Sequence, residues 1–207
     1  RYKKFVTYPA IRDIVVLARK YLTATSFPKK AMDLLDEIGV GASQNKKELT
    51  QLLTEVEKIQ PQSILEVGSW RGYLLDTFQE AFCPDYMLGI ESDEKQVEPA
   101  LKLQYDVLIG DSNNPETLTK VKEYFGNETL DFLFIDGDHH YEAVKKDFEL
   151  YAPLVREGGI IAFHDIKLVG DKWREAGVEV NRFWQEVRTL GNRFAEYHDA
   201  EGQGTGT

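Results

Sequence analysis

Two groups of acids and histidines are the residues best able to do chemistry in this sequence. The first is the run Asp136-Gly-Asp-His-His140, and the second is the pair His164-Asp165. Each group directly follows an apolar run, which indicates a buried parallel strand whose carboxyl end opens into a site. Ligands bind at that edge in open α/β sheets. We therefore expect these side chains, including His139, to meet there and to bind a divalent metal ion or move protons.

A glycine-bearing turn follows an earlier apolar run. Residues 63–67 include Glu66 and lead into the turn Gly68-Ser-Trp-Arg-Gly72. Such a turn lets backbone amides approach a ligand closely, beside the N-terminus of a helix. The dinucleotide fingerprint G-x-G-x-x-G is absent, because Trp70 stands in place of its middle glycine. This departure disfavours a nicotinamide-dependent oxidoreductase.

Acids also end the next two apolar runs, at Glu91 and at Asp111. Glu66 could attract an ammonium group, Glu91 could accept from both hydroxyls of a ribose, and Asp111 could read the amine of adenine. S-adenosylmethionine carries these three groups in this order. The alternative is that the acids only cap neighbouring helices and the glycines only make the turn. The predicted cofactor-binding residues are Glu66, Gly68, Ser69, Gly72, Glu91, Asp111 and Ser112.

Short apolar runs alternate with amphipathic segments from residue 63 onward. Five strands with helices between them imply right-handed crossovers and an α/β fold, a doubly wound, Rossmann-like, mainly parallel sheet. The predicted strands are Ser63–Val67, Tyr86–Ile90, Tyr105–Ile109, Leu130–Ile135 and Gly159–Phe163, with a sixth over Arg193–Tyr197. The predicted helices are Tyr73–Phe82, Glu94–Leu103, Pro115–Phe125, Tyr141–Tyr151 and Val178–Leu190.

Composition and charge exclude several classes of protein. The 207 residues are 42% hydrophobic and 29% charged, as in ordinary soluble globular proteins. The net charge of −10 argues against broad contact with a nucleic-acid backbone, and no apolar run approaches the length of a membrane-spanning helix. The single Cys83 rules out an internal disulfide and fits a reducing compartment. We expect a cytoplasmic protein with a small-molecule partner and no nucleic-acid or membrane partner.

The run from Ile64 to Asp165 resembles the class I S-adenosylmethionine-dependent methyltransferases. It is most similar to the subgroup of cephalosporin hydroxylase-like proteins and macrolide and rhamnosyl sugar O-methyltransferases. The matching motifs are Glu66-Val-Gly-Ser-Trp-Arg-Gly72, Phe134-Ile-Asp-Gly-Asp-His-His-Tyr141, Leu154-Val-Arg-Glu-Gly-Gly159 and Phe163-His-Asp165. The resemblance implies S-adenosyl-L-methionine as cofactor.

The resemblance also implies roles for the acids and histidines. In metal-dependent members, the acid at the Asp136 position and an acidic pair after the fifth strand hold Mg²⁺, and the histidine at the His139 position is the proposed general base. Carried over, Asp136, His164 and Asp165 become ligands of a divalent metal (Mg²⁺ or Mn²⁺), and His139 becomes the catalytic base. His164 stands where the family often has Glu. A histidine there would favour softer metals such as Mn²⁺, Fe²⁺ or Zn²⁺, or would lie outside the ligand set.

The expected organisation is a helical N-terminal extension (1–60), a methyltransferase domain (61–200) and a Gly-rich tail (201–207). Residues 166–177 form a candidate specificity loop. The family fold would add a C-terminal hairpin, and the sequence stops about where its last strand would start. Because an uncovered sheet edge is a liability, we expect further residues or a partner chain, as in a homo-oligomer, to cover it.

The predicted function is O-methylation of a small-molecule hydroxyl in a sugar, a phenol or a natural-product diol, with help from the metal. Two alternatives stay open. One is a metal-independent methyltransferase, and the other is a non-catalytic protein that binds S-adenosylmethionine or another nucleoside.

Overall fold

The computed structural model describes residues 45–167, 175–191 and 193–197. The strands are β1 (Ser63–Val67), β2 (Tyr86–Glu91), β3 (Asp106–Ile109), β4 (Leu130–Ile135) and β5 (Val155–Phe163). The helices are α1 (Lys46–Glu57), α2 (Tyr73–Phe82), α3 (Pro99–Lys102), α4 (Pro115–Phe125), α5 (Tyr141–Tyr151) and α6 (Val180–Val187), with 3-10 turns at Glu94–Gln96 and Ala152–Leu154. The strands form one parallel sheet in the order β3-β2-β1-β4-β5. The predicted doubly wound, Rossmann-like α/β fold is confirmed.

Strand β1 lies at the centre of the sheet, and the chain order reverses there. Strands β2 and β3 lie on one side of β1, and β4 and β5 lie on the other. Val67, the last residue of β1, pairs with Ile90 and with Ile135. Ile135 in turn pairs with Phe163 at the end of β5. The carboxyl ends of these strands therefore align at one edge, beside the crevice where such sheets bind ligands.

Helices cover both faces of the sheet with apolar side chains. Helices α1 and α2 pack on one face, where the ring of Phe78 lies 5.3 Å from that of Phe132 and 6.0 Å from that of Phe134. Helices α4, α5 and α6 pack on the other face, around Leu133 and Phe163. Because the central strands are buried on both faces, their runs are apolar almost throughout, and polar residues concentrate at their ends.

Two predicted elements differ from the structure in kind, beyond shifts of their bounds. The helix predicted over Glu94–Leu103 is a 3-10 turn followed by the short helix α3. Pro99 begins α3, and the residue before it is extended (ψ 124°), since a proline ring disfavours the helical conformation in its predecessor. The sixth strand predicted over Arg193–Tyr197 is wrong, because these residues form no strand. Phe194 instead packs its ring edge-on against Trp184 of α6.

Of the N-terminal extension predicted over residues 1–60, the structure describes residues 45–60, which hold α1. Asn45 caps this helix and accepts hydrogen bonds from the amides of Lys47 and Glu48. The rest of the extension, most of the candidate specificity loop and the Gly-rich tail lie outside the described residues. No helix among the described residues combines the length and the apolar content needed to cross a membrane.

Candidate active site

The two groups of acids and histidines meet at the carboxyl ends of β4 and β5. Asp136 directly follows β4, and His164 and Asp165 directly follow β5. His139 reaches the same place from the loop after β4, which we call the acid loop (residues 136–140). Asp165 has a left-handed backbone (φ 57°), a strained conformation that is frequent at functional sites. The structure thus brings all four predicted residues together.

His139 and His164 each bridge the two carboxylates. Nε2 of His139 lies 2.9 Å from Oδ2 of Asp165 and 3.4 Å from Oδ1 of Asp136. Nδ1 of His164 lies 3.3 Å from Oδ1 of each acid. The side chain of His139 is 37% exposed, whereas that of His164 is 10% exposed. His139 therefore forms the open side of the cluster, and His164 forms its floor.

The carboxylates hold both imidazoles in their charged form. Hydrogen bonds to Asp136 and Asp165 raise the pKa of His139 to about 9. Burial lowers the pKa of His164, but the charges and hydrogen bonds of the same two acids outweigh burial and raise it to about 10. Burial also opposes ionisation of Asp136, but the two histidines outweigh it and hold the pKa of Asp136 below its usual range.

The cluster fits a divalent cation. Asp136, His139 and Asp165 each offer one ligand atom, and these atoms all lie within 4.8 Å of one another. Two carboxylates and an imidazole suit Mn²⁺ and related divalent ions, and carboxylates suit Mg²⁺. The ligand set predicted from the sequence has His164 where this group has His139. The roles of His164 as a ligand and of His139 as the base therefore stay predictions.

Gly68 lets the turn after β1 pack against the acid loop. Its backbone is left-handed (φ 85°), and a Cβ at this position would lie 2.2 Å from the carbonyl oxygen of Asp136. The amides of Gly68 and buried Ser69 donate to the carbonyl of Ile90 at 2.9 and 3.0 Å. The sequence predicts amides directed at a ligand, whereas these two tie the turn to β2. Gly72 then caps α2.

Glu66 and Glu91 lie at the ends of neighbouring strands. Glu66 is buried, and its Oε2 has no hydrogen-bond partner among the described residues. Burial, and then the charges of Asp136 and Glu91, raise the pKa of Glu66 well above its usual range. An unused buried oxygen of this kind fits the ammonium group of an amino-acid ligand. Glu91 accepts hydrogen bonds from the amides of Trp70 (2.8 Å) and Asp93 (3.0 Å).

The loop after β3 (residues 110–114, the β3 loop) carries the last two predicted cofactor residues. Asp111 is exposed, and its carboxylate accepts a hydrogen bond from the amide of Asn113 at 2.9 Å. Ser112 is half-buried, and its carbonyl accepts a hydrogen bond from the hydroxyl of Tyr151 at 2.6 Å. The three acids proposed for the cofactor thus lie at or near the carboxyl ends of three successive strands: Glu66 at β1, Glu91 at β2 and Asp111 at β3.

The sequence analysis missed the residues behind the β3 loop. Asp147 is fully buried on α5, and its Oδ1 accepts a hydrogen bond from the side-chain amide of Asn113 at 2.6 Å. A signal was present, because Asp147 lies three residues after Val144 and four before Tyr151, on the apolar face of the predicted helix. A charge on such a face indicates a buried polar contact but does not identify the partner.

Two family models and several curated proteins match parts of this chain. A family model described as "Methyltransferase domain" matches residues 65–166, and one described as "AAA lid domain" matches residues 2–65. The demethylmacrocin O-methyltransferase of Streptomyces fradiae is 27% identical over 110 residues, which are 50% of this chain and 27% of that protein. An uncharacterized protein of Sinorhizobium fredii is 31% identical over 75 residues, 36% of this chain and 8% of its own. The chain spans about a quarter or less of these curated relatives.

Solved structures share the fold. A Staphylococcus aureus protein assigned as a caffeoyl-CoA O-methyltransferase superimposes with a TM-score of 0.63 at 17% identity, covering 92% of this chain and 96% of that one. The MycE methyltransferase of mycinamycin biosynthesis, in complex with Mg, SAH and mycinamycin VI, gives a TM-score of 0.58 at 16% identity, covering 91% and 58%.

The sheet order and the glycine turn agree with a class I S-adenosylmethionine-dependent methyltransferase domain. The methyltransferase-domain family model matches residues 65–166, just under half of the chain, from β1 to the residues after β5.

Proposed function

We propose that this protein transfers a methyl group from S-adenosylmethionine to a hydroxyl oxygen of a small molecule, with help from a divalent cation. The observation that carries the proposal is the cluster of Asp136, His139, His164 and Asp165 beside the strand ends that hold Glu66 and Glu91. One edge of the sheet therefore offers a site for the cofactor and, next to it, a site for the acceptor.

The cofactor would lie across the ends of β1, β2 and β3. Glu66 would hold the ammonium group, and the charge of that group would stabilise its buried carboxylate. Glu91 would accept from the ribose hydroxyls, since the amides of Trp70 and Asp93 already fix its orientation. Asp111 would read the adenine amine from the β3 loop. When bound, S-adenosylmethionine supplies a methyl group on a sulfonium centre, so the chain must align the acceptor and remove a proton.

Asp136 and Asp165 would hold the cation. When bound, a divalent cation lowers the pKa of an acceptor hydroxyl and orients it. His139 would accept the proton, and its location on the exposed side of the acid pair supports this role. With a pKa of about 9 it is protonated at neutral pH in the free protein. It can act as a base only when another positive charge offsets the two carboxylates, so proton acceptance by His139 depends on the cation.

The relatives favour a sugar or macrolide-type hydroxyl as acceptor. Demethylmacrocin O-methyltransferase matches half of this chain, and the MycE structure contains a mycinamycin. A phenol is the other acceptor of the same chemistry, since a structural neighbour is assigned as a caffeoyl-CoA O-methyltransferase.

The proposal is tested by isothermal titration of the protein with S-adenosylhomocysteine, with and without Mn²⁺ or Mg²⁺. We expect saturable one-to-one binding and heat from Mn²⁺ alone. Absence of S-adenosylhomocysteine binding under all conditions would refute the function. Binding that Mn²⁺ leaves unchanged, with no heat from Mn²⁺ itself, would show a metal-independent methyltransferase. His139→Ala separates a role as cation ligand from a role as base: loss of Mn²⁺ affinity indicates a ligand, whereas a base variant loses no Mn²⁺ affinity but loses turnover by about 10²- to 10⁴-fold.

A further inference from the structure

Helix α5 connects the two halves of the site from behind. It begins directly after the acid loop, and its buried face carries Asp147 and Tyr151, four residues apart. Both side chains point to the β3 loop, where Asp147 contacts Asn113 and Tyr151 contacts Ser112. Asn113 in turn donates its backbone amide to Asp111. One helix therefore holds the loop that carries the proposed adenine-binding residues.

The carboxyl group of Asp147 also lies against the acid loop. A Cβ added at Gly137 would lie 3.5 Å from Oδ2 of Asp147 and 3.3 Å from the side chain of Val67. Oδ2 is buried and has no hydrogen-bond partner within the part of the chain that the structure describes. The carboxyl of Asp147 therefore lies between the β3 loop, where it contacts Asn113, and the acid loop, where it lies beside Gly137.

We propose that Asp147 is a positioning residue that holds the β3 loop in place for the adenosine part of the cofactor and keeps it in register with the acid loop. This inference rests on the proposed function. The contact is local and directional, because Asp147 Oδ1 fixes the Asn113 amide at 2.6 Å and that residue orients Asp111. Asp147 is therefore proposed to act through Asn113 and the β3 loop, and not by its own contact with the cofactor or the cation.

Because Asp147 is buried, its effect on cofactor binding can be measured separately from its effect on folding stability. A buried carboxyl with one unsatisfied oxygen contributes little or nothing to folding, since its desolvation opposes the gain from its hydrogen bonds. Replacing it by a smaller apolar residue therefore need not unfold the protein. The same replacement frees Asn113, and with it the β3 loop, which must then be ordered when the cofactor binds.

The experiment compares Asp147→Ala, Asp147→Asn and a control, Asp131→Ala. Asp131 is the matched residue near the start of β4, at the opposite ends of the strands from the site. It accepts hydrogen bonds there from the backbone of Gln62 and Ser63 and from Arg156. The affinity for S-adenosylhomocysteine is measured by isothermal titration, and the folded fraction by urea denaturation. We expect Asp147→Ala to weaken S-adenosylhomocysteine binding at least about tenfold, which corresponds to 1.4 kcal/mol. Asp147→Asn, which keeps an acceptor for Asn113, should stay within about threefold of the parent protein. Asp131→Ala should lose stability and keep its affinity.

Several outcomes would overturn the inference. The first is that folded Asp147→Ala binds S-adenosylhomocysteine as tightly as the parent protein. The second is that Asp147→Asn loses as much affinity as Asp147→Ala. The third is that Asp131→Ala loses as much affinity as Asp147→Ala. If Asp147→Ala does not fold, Tyr151→Phe is tested in its place, because it removes the second hydrogen bond from α5 to the β3 loop. An unchanged affinity of Tyr151→Phe for S-adenosylhomocysteine would also overturn the inference. A parent protein that does not bind S-adenosylhomocysteine refutes the proposed function instead.

Discussion

The buried carboxyl of Asp147 makes the stability of this protein depend on pH in a predictable direction. Burial raises its pKa from 3.8 to about 7; the polar side chains of Ser112 and Asn113 oppose the shift, and the charges of Asp111 and Asp138 add to it. The folded state therefore keeps a proton that the unfolded chain has already lost between these two pKa values. The stability from this group is fully present below pH 3.8 and is lost as the pH rises through 7.

The size of the effect follows from the two pKa values. Between pH 5 and pH 8, the difference in proton binding costs the folded state about 2 to 3 kcal/mol. The variant Asp147→Asn has no proton to lose, so this pH dependence disappears. We expect its free energy of unfolding, relative to that of the parent protein, to increase by the same amount over this interval, so the variant gains relative stability as the pH rises.

The assay is urea denaturation of the parent protein and of Asp147→Asn at pH 5, 6, 7 and 8. Asp131→Asn is the matched control. Burial raises the pKa of Asp131, but hydrogen bonds from Arg156, Gln62 and Ser63 outweigh burial and lower it. Asp131 is therefore ionised in both states throughout this interval, and the effect of Asp131→Asn should not change with pH. A constant difference between the parent protein and Asp147→Asn from pH 5 to pH 8 would refute the reasoning, because it would mean that the carboxyl titrates normally.

Further predictions concern the close approach at the sheet edge and the cation cluster. Gly68→Ala should cost more than about 2 kcal/mol of stability in urea, because its Cβ would meet the backbone of the acid loop at 2.2 Å, whereas Gly191→Ala, with a similar positive φ (81°) and nothing within 4 Å, should cost about 1 kcal/mol. Asp165→Asn should weaken Mn²⁺ binding in calorimetry at least about tenfold, and the exposed Asp138→Asn should leave it within about twofold. The affinity for Mn²⁺ should rise about tenfold per pH unit from pH 6.5 to pH 8.5, since a cation must displace the proton of His139, whose pKa is about 9. A flat profile would show that His139 carries no proton in the free protein.

The sequence predicts the sheet well because each strand is a short apolar run with polar residues at its end. Four of the five predicted strands agree with the observed bounds to within a residue, and β5 begins four residues earlier than predicted. The helix predicted over Glu94–Leu103 was wrong because Pro99 interrupts it. The spacing of apolar residues predicts a helix but does not show that the residue before a proline is extended. Arg193–Tyr197 has strand-like residues but is largely exposed, and Phe194 contacts the ring of Trp184 on α6, so β propensity alone did not predict its conformation.

The meeting of Asp136, His164 and Asp165 could be predicted because the ends of adjacent parallel strands share one edge. The details of the cluster could not. The length and path of the acid loop decide which histidine lies on the open side of the cluster. No periodic pattern of residues in the sequence predicts the path of that loop. The partnership of Asp147 with Asn113 joins residues 34 positions apart, and neither residue's spacing identifies the other.

The two halves of the site are joined mainly through backbone rather than through long side chains. Gly68 brings the turn after β1 against the carbonyl of Asp136, and Gly137 lies on Val67 with the carboxyl of Asp147 beside it. A Cβ at Gly68 would collide with the backbone of the acid loop at 2.2 Å, and a Cβ at Gly137 would crowd the side chain of Val67 at 3.3 Å. A close-packed backbone contact has few ways to relax, so the distance between the cofactor acids and the cation cluster is fixed more tightly than flexible side chains could fix it. Methyl transfer needs the acceptor oxygen, the methyl carbon and the sulfur in line. In the proposed reaction, Gly68 would therefore help to set that alignment, while the surrounding acids and histidines would supply the charges.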